Sequence, residues 1–302
     1  MQNPIPVAVV GAGRFGRKHI EKYSLDAQAA LVAIVDPNPA MESLARHHGV
    51  RWFPSVADVP AGLVRAATVA VPNAAHFATS AALMCAGVDV LVEKPFTQRL
   101  DEADALIEAA RRGERIVQVG HVERFNPAVL AVQHRALAFE RVRAVRRGPL
   151  PESGPPADVV LDLMIHDIEL VLNWAGAQPA LVTVRGCVVK NAVLERAQAT
   201  LHFPGGATAV LTAERGAPCR MLDVVAGGRH LRIDCLARRA YDGATPLDVA
   251  PHDALAAEIA AFLDAVRRRG TPVVTGSDGR GALEVALRIR EDIVAARYDP
   301  AA

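Results

Sequence analysis

Asp162 and His166 stand four residues apart in the run Val159 to Trp174, whose other members are mostly apolar. If that run is a helix, residues at this spacing share a face and project into one space. An imidazole titrates near neutral pH, which suits removal of a proton from a reacting hydroxyl. His166 is therefore a candidate general base, with Asp162 orienting its ring or holding an adjacent hydroxyl. The alternative is a polar pair on a solvated helix face; the apolar neighbours Leu161, Leu163, Met164 and Ile165 weigh against it.

A second constellation is Gly11-Ala12-Gly13-Arg14-Phe15-Gly16, which follows the apolar run Ile5 to Val10 and opens a helical stretch. In isolation the spelling is common; directly between strand and helix it is the context of a dinucleotide fingerprint. Gly11 allows the tight turn, Gly13 lets the backbone approach a pyrophosphate, and Gly16 lets helix and strand pack closely. The helix N-terminus, with Arg14 and Phe15 in its first turn, offers N–H groups to the anion. An acid is expected about 20 residues further on, at the end of the second strand, to accept bonds from ribose hydroxyls. Asp36 stands there, and Pro37-Asn38-Pro39 supplies no base for a 2′-phosphate. The expected cofactor is NAD rather than NADP; the plainer reading of Asp36 is a turn residue before proline.

These residues need a scaffold. Apolar runs recur at Leu31 to Val35, Ala67 to Val71, Val88 to Val92 and Ile116 to Val119, with a weaker one near Val50 to Phe53. Helical stretches separate them, one capped by Asn73 and ending near Gly87, another capped by Asp101 and ending at Gly113. Alternating strands and helices predict a doubly wound α/β domain with a parallel sheet over residues 1–120. After the helical run Val159 to Trp174 come β-like runs at Leu181 to Val189, Gln198 to Phe203, Thr208 to Ala213, Leu222 to Val225 and His230 to Ile233. Pro204-Gly205-Gly206 and Gly227-Gly228 lie where hairpins would turn. Two amphipathic helices, Asp253 to Arg269 and Arg280 to Arg297, finish the chain. Residues 121–302 are thus expected as an α+β domain with a largely antiparallel open sheet. Gly148 to Pro156 reads as a loop within it.

The 302 residues carry a formal charge of +1, so no nucleic-acid or membrane partner is expected. The four cysteines, Cys85, Cys187, Cys219 and Cys235, show no CxxC spacing and read as reduced core thiols. No metal site is expected. No leader-like segment and no apolar run of about 18 residues is seen, so the expected location is the cytoplasm.

The chain resembles the glucose–fructose oxidoreductase, inositol dehydrogenase and rhizopine-catabolism family, Gfo/Idh/MocA. The motifs that carry the resemblance are the fingerprint with Asp36, Val71-Pro72-Asn73 with His76, Glu93-Lys94-Pro95, and Asp162-Leu163-Met164-Ile165-His166. The resemblance implies that Lys94 lies beside nicotinamide and substrate, that Glu93 lies near the nicotinamide ribose, and that Pro72, Asn73 and His76 help form the cofactor pocket. An isolated lysine before proline would otherwise read as a solvated turn residue. For oxidation of a sugar secondary hydroxyl, His166 would take the proton, Asp162 would hold the ring or a neighbouring hydroxyl, and Lys94 would stabilise the developing negative charge.

Gly120-His121-Val122-Glu123-Arg124-Phe125-Asn126-Pro127 narrows the resemblance to the UDP-N-acetylglucosamine 3-dehydrogenases, implying substrate contacts at His121, Arg124 and Asn126. The planar fork of Arg124 suits a diphosphate; a plain interdomain salt bridge is its alternative. Arg141, Arg143, Arg146 and Arg147 look more like a solvated strand face than an anion site. The remaining histidines carry less weight. A dehydrogenase of a free sugar or inositol, and a non-catalytic NAD(H)-sensing protein, are the other readings. The exposed sheet face and the family pattern imply a homodimer or homotetramer.

Overall fold

A computed structural model describes residues 3–150, 158–190 and 193–298. From position 151 onwards, the loop expected over Gly148 to Pro156 lies outside the described residues. The chain divides into two compact units, Met1–His121 with Leu255–Arg280, and Val122–Ala254 with Gly281–Ala302.

In the first unit the apolar runs become β1 (Ile5–Val10), β2 (Ala29–Val35), β3 (Arg51–Phe53), β4 (Ala66–Val69), β5 (Asp89–Glu93) and β6 (Val117–Gly120). They pair in parallel in the order β3-β2-β1-β4-β5-β6. The order reverses between β1 and β4, the switch point where doubly wound sheets gather ligands at the carboxyl ends of their strands. The connecting helices are α1 (Arg14–Leu25), α2 (Met41–His47), α3 (His76–Cys85) and α4 (Leu100–Gly113). Two expected caps differ from what forms. Asn73 opens a 3₁₀ turn, Asn73–Ala75, ahead of α3, and Asp101 lies inside the first turn of α4, where Arg99 engages its carboxylate.

The second unit begins with α5 (Pro127–Ala136) and β7 (Arg141–Gly148). A π-helical segment, Val160–Met164, then runs into α6 (Ile165–Ala175), which ends at Gly176 with φ of 62°. The sequence suggested one uninterrupted helix here, because the apolar spacing is the same. There follow β8 (Leu181–Lys190), β9 (Val193–His202), β10 (Thr208–Arg215), β11 (Cys219–Ala226), β12 (Arg229–Asp234), β13 (Arg239–Asp242) and β14 (Thr245–Pro246). The sheet order is β14-β13-β12-β11-β7-β10-β9-β8, antiparallel except for the parallel pair β7 and β10. Inward residues such as Ala144, Leu211, Ala199 and Val224 share a core with Val132 on α5 and Ile165 and Ile168 on α6.

The arginines of β7 do not form a uniform solvated face. Arg141, Arg143 and Arg147 are exposed, but Arg146 is 1% exposed, because strand alternation turns it into the core side. The cysteines are all free, yet only Cys235 is a core thiol; Cys187 and Cys219 are half-buried, and Cys85 is exposed at the end of α3.

Two helices close the chain, α7 (Ala254–Arg268) and α8 (Gly276–Tyr298). Ile259, Phe262, Leu263 and Val266 of α7 pack with Ile5, Val7, Ile20, Ile34 and Leu91. Gln118 donates to the Glu258 carbonyl at 3.1 Å, and Arg65 to that of Val266 at 3.3 Å. The segment 255–280 therefore belongs with the nucleotide-type sheet, not with the second domain to which its place in the chain assigned it. Ala282, Val285, Ala286 and Ile289 of α8 join the second core. Among the described residues no helix is long and apolar enough to cross a membrane.

Candidate active site

The glycine-rich loop between β1 and α1 is built around three different needs. Gly11 has φ of +90°, and a Cβ there would lie 2.5 Å from the Ala70 carbonyl oxygen beyond β4. At Gly16 a Cβ would fall 1.8 Å from the Gly11 oxygen, so only glycine permits this approach of helix to loop. At Gly13 nothing lies within 4 Å of the added atom. That open side, at the N-terminus of a helix that no side chain caps, fits a pyrophosphate. Arg14 and Phe15 are exposed in the first turn, the guanidinium 5.1 Å from the ring centroid. Replacing Gly13 with valine should therefore leave the melting temperature nearly unchanged while weakening NAD binding at least about tenfold, or 1.4 kcal/mol. Calorimetric titration beside a thermal melt would check both halves.

Asp36 follows directly on the last residue of β2, at the strand end where the acid was expected. One carboxylate oxygen accepts from the Ala12 N–H at 2.7 Å and the other from the Asn38 N–H at 2.9 Å, so the acid also braces the glycine loop. Trp52 donates to its carbonyl at 3.0 Å.

The loops after β4 and β5 are tied to each other. Pro72 and Asn73 are exposed, whereas His76 is 1% exposed, its Nδ1 2.8 Å from the Pro95 oxygen and its Nε2 3.1 Å from the Val71 oxygen. Burial pushes the His76 pKa down, against the pull of these carbonyls and of Glu93. The neutral ring carries one N–H, so it donates to one of these two carbonyls, the Pro95 oxygen being the nearer. Lys94 follows directly, half-buried, with a cis peptide to Pro95.

Glu93 engages a residue to which the sequence attached no role. Its Oε1 lies 2.8 Å from Nε2 of His19, which is 0% exposed on α1, and its Oε2 accepts from the Lys94 N–H at 3.3 Å. Burial pushes the Glu93 carboxyl up, but the hydrogen bond and charge of His19, with Lys94 and His76, bring it below the usual carboxylate range. The one available signal was that His19 falls on the same inward stripe of α1 as Gly16, Ile20 and Tyr23. His121 ends the first unit, 0% exposed.

In the second unit Asp162 lies within the π-helical segment and His166 in the first turn of α6, both half-buried. Single π turns inside helices recur at functional sites, since the extra residue re-aims the side chains around it. Arg215, from the end of β10, donates to Asp162 Oδ2 at 2.7 Å and to the Pro149 carbonyl at 3.1 Å. This partner, distant in sequence, was not visible in any local motif.

The two other expected substrate contacts are engaged by protein groups. Asn126 caps α5 by accepting from the Ala128 N–H at 3.0 Å, while its amide donates to Glu123 at 2.9 Å and to the Cys235 carbonyl at 3.0 Å. Both its N–H donors are thus taken, leaving the second lone pair of Oδ1 as its remaining hydrogen-bonding capacity. Arg124 is 9% exposed and donates to Glu169 at 2.6 Å, an ion pair within the second unit. Beside them Arg146 grips Asp167 through Nε and Nη2 at 2.7 to 3.1 Å and Glu123 through Nη1 at 2.9 Å; Arg220 adds a bond to Glu123 at 2.8 Å.

Residues 5–121 match the family described as "Oxidoreductase family, NAD-binding Rossmann fold". The UDP-N-acetylglucosamine 3-dehydrogenase of Acidithiobacillus ferrooxidans is 33% identical over 299 residues, covering 93% of this chain and 95% of that protein. A solved structure of that enzyme covers 97% of this chain and 99% of its own with a TM-score of 0.91. The NAD-dependent scyllo-inositol 2-dehydrogenase of Bacillus subtilis is 27% identical, covering 95% and 93%. With identity of this extent over nearly the full length, on a sheet whose switch point carries the fingerprint, the chain belongs to the Gfo/Idh/MocA family of NAD-binding oxidoreductases.

Proposed function

We propose that this protein is an NAD-dependent dehydrogenase of a nucleotide sugar, oxidising the 3-hydroxyl of UDP-N-acetylglucosamine or reducing the corresponding ketone. The full-length likeness to the Acidithiobacillus enzyme carries this reading. Asp36 supports NAD over NADP, because its carboxylate offers acceptors to ribose hydroxyls and repels a 2′-phosphate. Bound NAD would supply the hydride acceptor for the sugar carbon. His166 takes the hydroxyl proton, and Lys94 donates to the oxygen as negative charge builds on it. Asp162, ion-paired with Arg215, acts as an acceptor for a neighbouring hydroxyl or for the His166 ring. His121 and Arg124 complete the proposed substrate set, with the Arg124–Glu169 pair giving way or sharing its guanidinium with the diphosphate.

Inositol oxidation is the second reading, favoured by the Bacillus relative. Purified protein given NAD should form NADH with UDP-N-acetylglucosamine at a kcat/KM at least about a hundredfold above that with scyllo- or myo-inositol, and above that with NADP. Preference for an inositol would overturn the nucleotide-sugar assignment; no turnover with any polyol, together with tight NADH binding, would point to a sensor. The reading includes a cytoplasmic homodimer or homotetramer associated through the exposed face of the second sheet, where Arg141, Arg143, Val210 and Val225 lie.

A further inference from the structure

We propose that His19 is a positioning residue, holding the Glu93 carboxylate so that the Lys94 backbone is fixed to the helix that starts at the glycine-rich loop. The role of Lys94 itself rests on the function proposed above; the brace rests on geometry within the first unit.

Three elements are shaped around one carboxylate. α1 brings His19, an imidazole on the inward stripe with Gly16, Ile20 and Tyr23, to within 2.8 Å of Glu93 Oε1. Nδ1 of the ring is buried without a partner among the described residues, so the bond to Glu93 is the one that offsets the cost of burying this imidazole, about 1–3 kcal/mol for each unsatisfied group. β5 ends on Glu93, whose second oxygen turns back to the Lys94 N–H. On β6 the residue paired with Glu93 is Gly120, and a Cβ there would come 3.3 Å from Glu93 Oε2 and 3.2 Å from its Cα. The absence of a side chain at 120 thus leaves room for the carboxylate to lie across the sheet end. Beyond Lys94, His76 holds the Pro95 carbonyl. Lys94 is therefore pinned on both sides, by His19 through Glu93 before it and by His76 after it.

The carboxylate has further consequences. With one oxygen on His19 and the other on the Lys94 N–H, Glu93 is an internal link rather than a group directed only at a ligand. Its ionised form, which the His19 bond favours, is the form that can accept both bonds. α1 also carries the pyrophosphate-facing N–H groups at its start, so one rigid helix sets the position of both cofactor phosphates and lysine.

Two readouts test this, one of them free of catalysis. In His19→Leu without cofactor, amide hydrogen exchange in the peptide spanning Val90 to Gln98 should accelerate about tenfold or more, while the peptide spanning Ile5 to Val10 stays within about twofold. With NAD and substrate, kcat should fall about ten- to a hundredfold, with the KM for NAD moving less than about threefold. His19→Gln, which keeps an N–H donor at similar reach, should recover most of both effects. If His19→Leu folds poorly, Glu93→Gln, of nearly equal volume, should show the same local rise in exchange. Uniform acceleration throughout the unit, or none, would overturn the brace. So would an unchanged kcat in His19→Leu when Lys94→Ala is inactive. If Lys94→Ala keeps full turnover while exchange still rises only around Lys94, the brace stands and the catalytic reading of Lys94 fails.

Discussion

Replacing Lys94 with alanine is expected to lower kcat by about a hundred- to a thousandfold, the usual loss when one donor to a developing oxyanion is removed. NAD affinity should stay within about threefold, because the groups that face the phosphates and ribose, around Gly11, Gly13 and Asp36, are untouched. Replacement of His166 with alanine should cost about a hundredfold or more in kcat by removing the proton acceptor, and raising the pH should restore part of it as hydroxide substitutes. The proposed mechanism has both groups acting on one oxygen, so it predicts that the two effects will not add, the second loss falling on a site already disabled. Steady-state kinetics of the single and double variants, with NAD titrations alongside, check each statement. Full activity in both single variants would show that the hydroxyl is handled elsewhere.

The second large effect concerns stability. Arg146 is enclosed in the second unit with Glu123 and Asp167, each at most 3% exposed in its side chain. Burial alone would lower the pKa of Arg146, but the charges of Asp167 and Glu123 reverse this and raise it. Burial pushes Glu123 up, and Arg146 and Arg220 more than offset it, leaving Glu123 below the ordinary carboxylate range. Asp167 remains above its ordinary value because burial outweighs its partner. Arg146→Met would leave two carboxylates facing each other's charge without their shared cation, a loss of about 3–5 kcal/mol. At about 2–4 °C per kcal/mol for a unit of this size, the melting temperature should fall by about 10 °C.

The sign of the pH dependence follows from Glu123. In the parent its depressed folded pKa contributes stability above the unfolded carboxylate pKa, and that contribution is lost as pH falls through the folded value. In the variant the same group, buried with Arg220 as its one remaining cation, has its pKa raised relative to the parent, so protonation on acidification relieves the variant. The gap in melting temperature between parent and variant should narrow as pH falls from neutral towards the carboxylate range. A gap that widens on acidification would place the destabilisation elsewhere.

The first sheet was legible because its inner strands β1, β4 and β5 are buried on both faces and read as largely apolar runs, whereas the edge strand β3, with Arg51 exposed, showed only weakly; β1 was bounded to the residue. The fingerprint was legible because Gly11 and Gly16 are each sterically required and Gly13 leaves an open side between them, all within a few residues. The strand β7 was harder to see, since the long arginine that alternation turns inward looks like its solvated neighbours until Glu123 and Asp167 are brought to it. The π-helical turn left no trace because an extra residue in one turn barely disturbs apolar spacing. His19 and Arg215 acquire meaning only through Glu93 and Asp162, 74 and 53 residues away. Asn126 sits in a motif suggestive of substrate, and the structure adds structural bonds that the motif did not announce, to a helix start, a carboxylate and a carbonyl.

The return of α7 to the first sheet governs how the protein can be made. Ile5, Ile20 and Ile34 leave the ribosome early, but the Phe262 and Leu263 side chains that complete their cluster are encoded more than two hundred positions later. During synthesis the nucleotide-binding unit must wait, with apolar surface uncovered, while all of β7 to β14 is produced. A ribosome stalled before α7 should therefore hold a first unit that chaperones and proteases still recognise, however complete its six strands are.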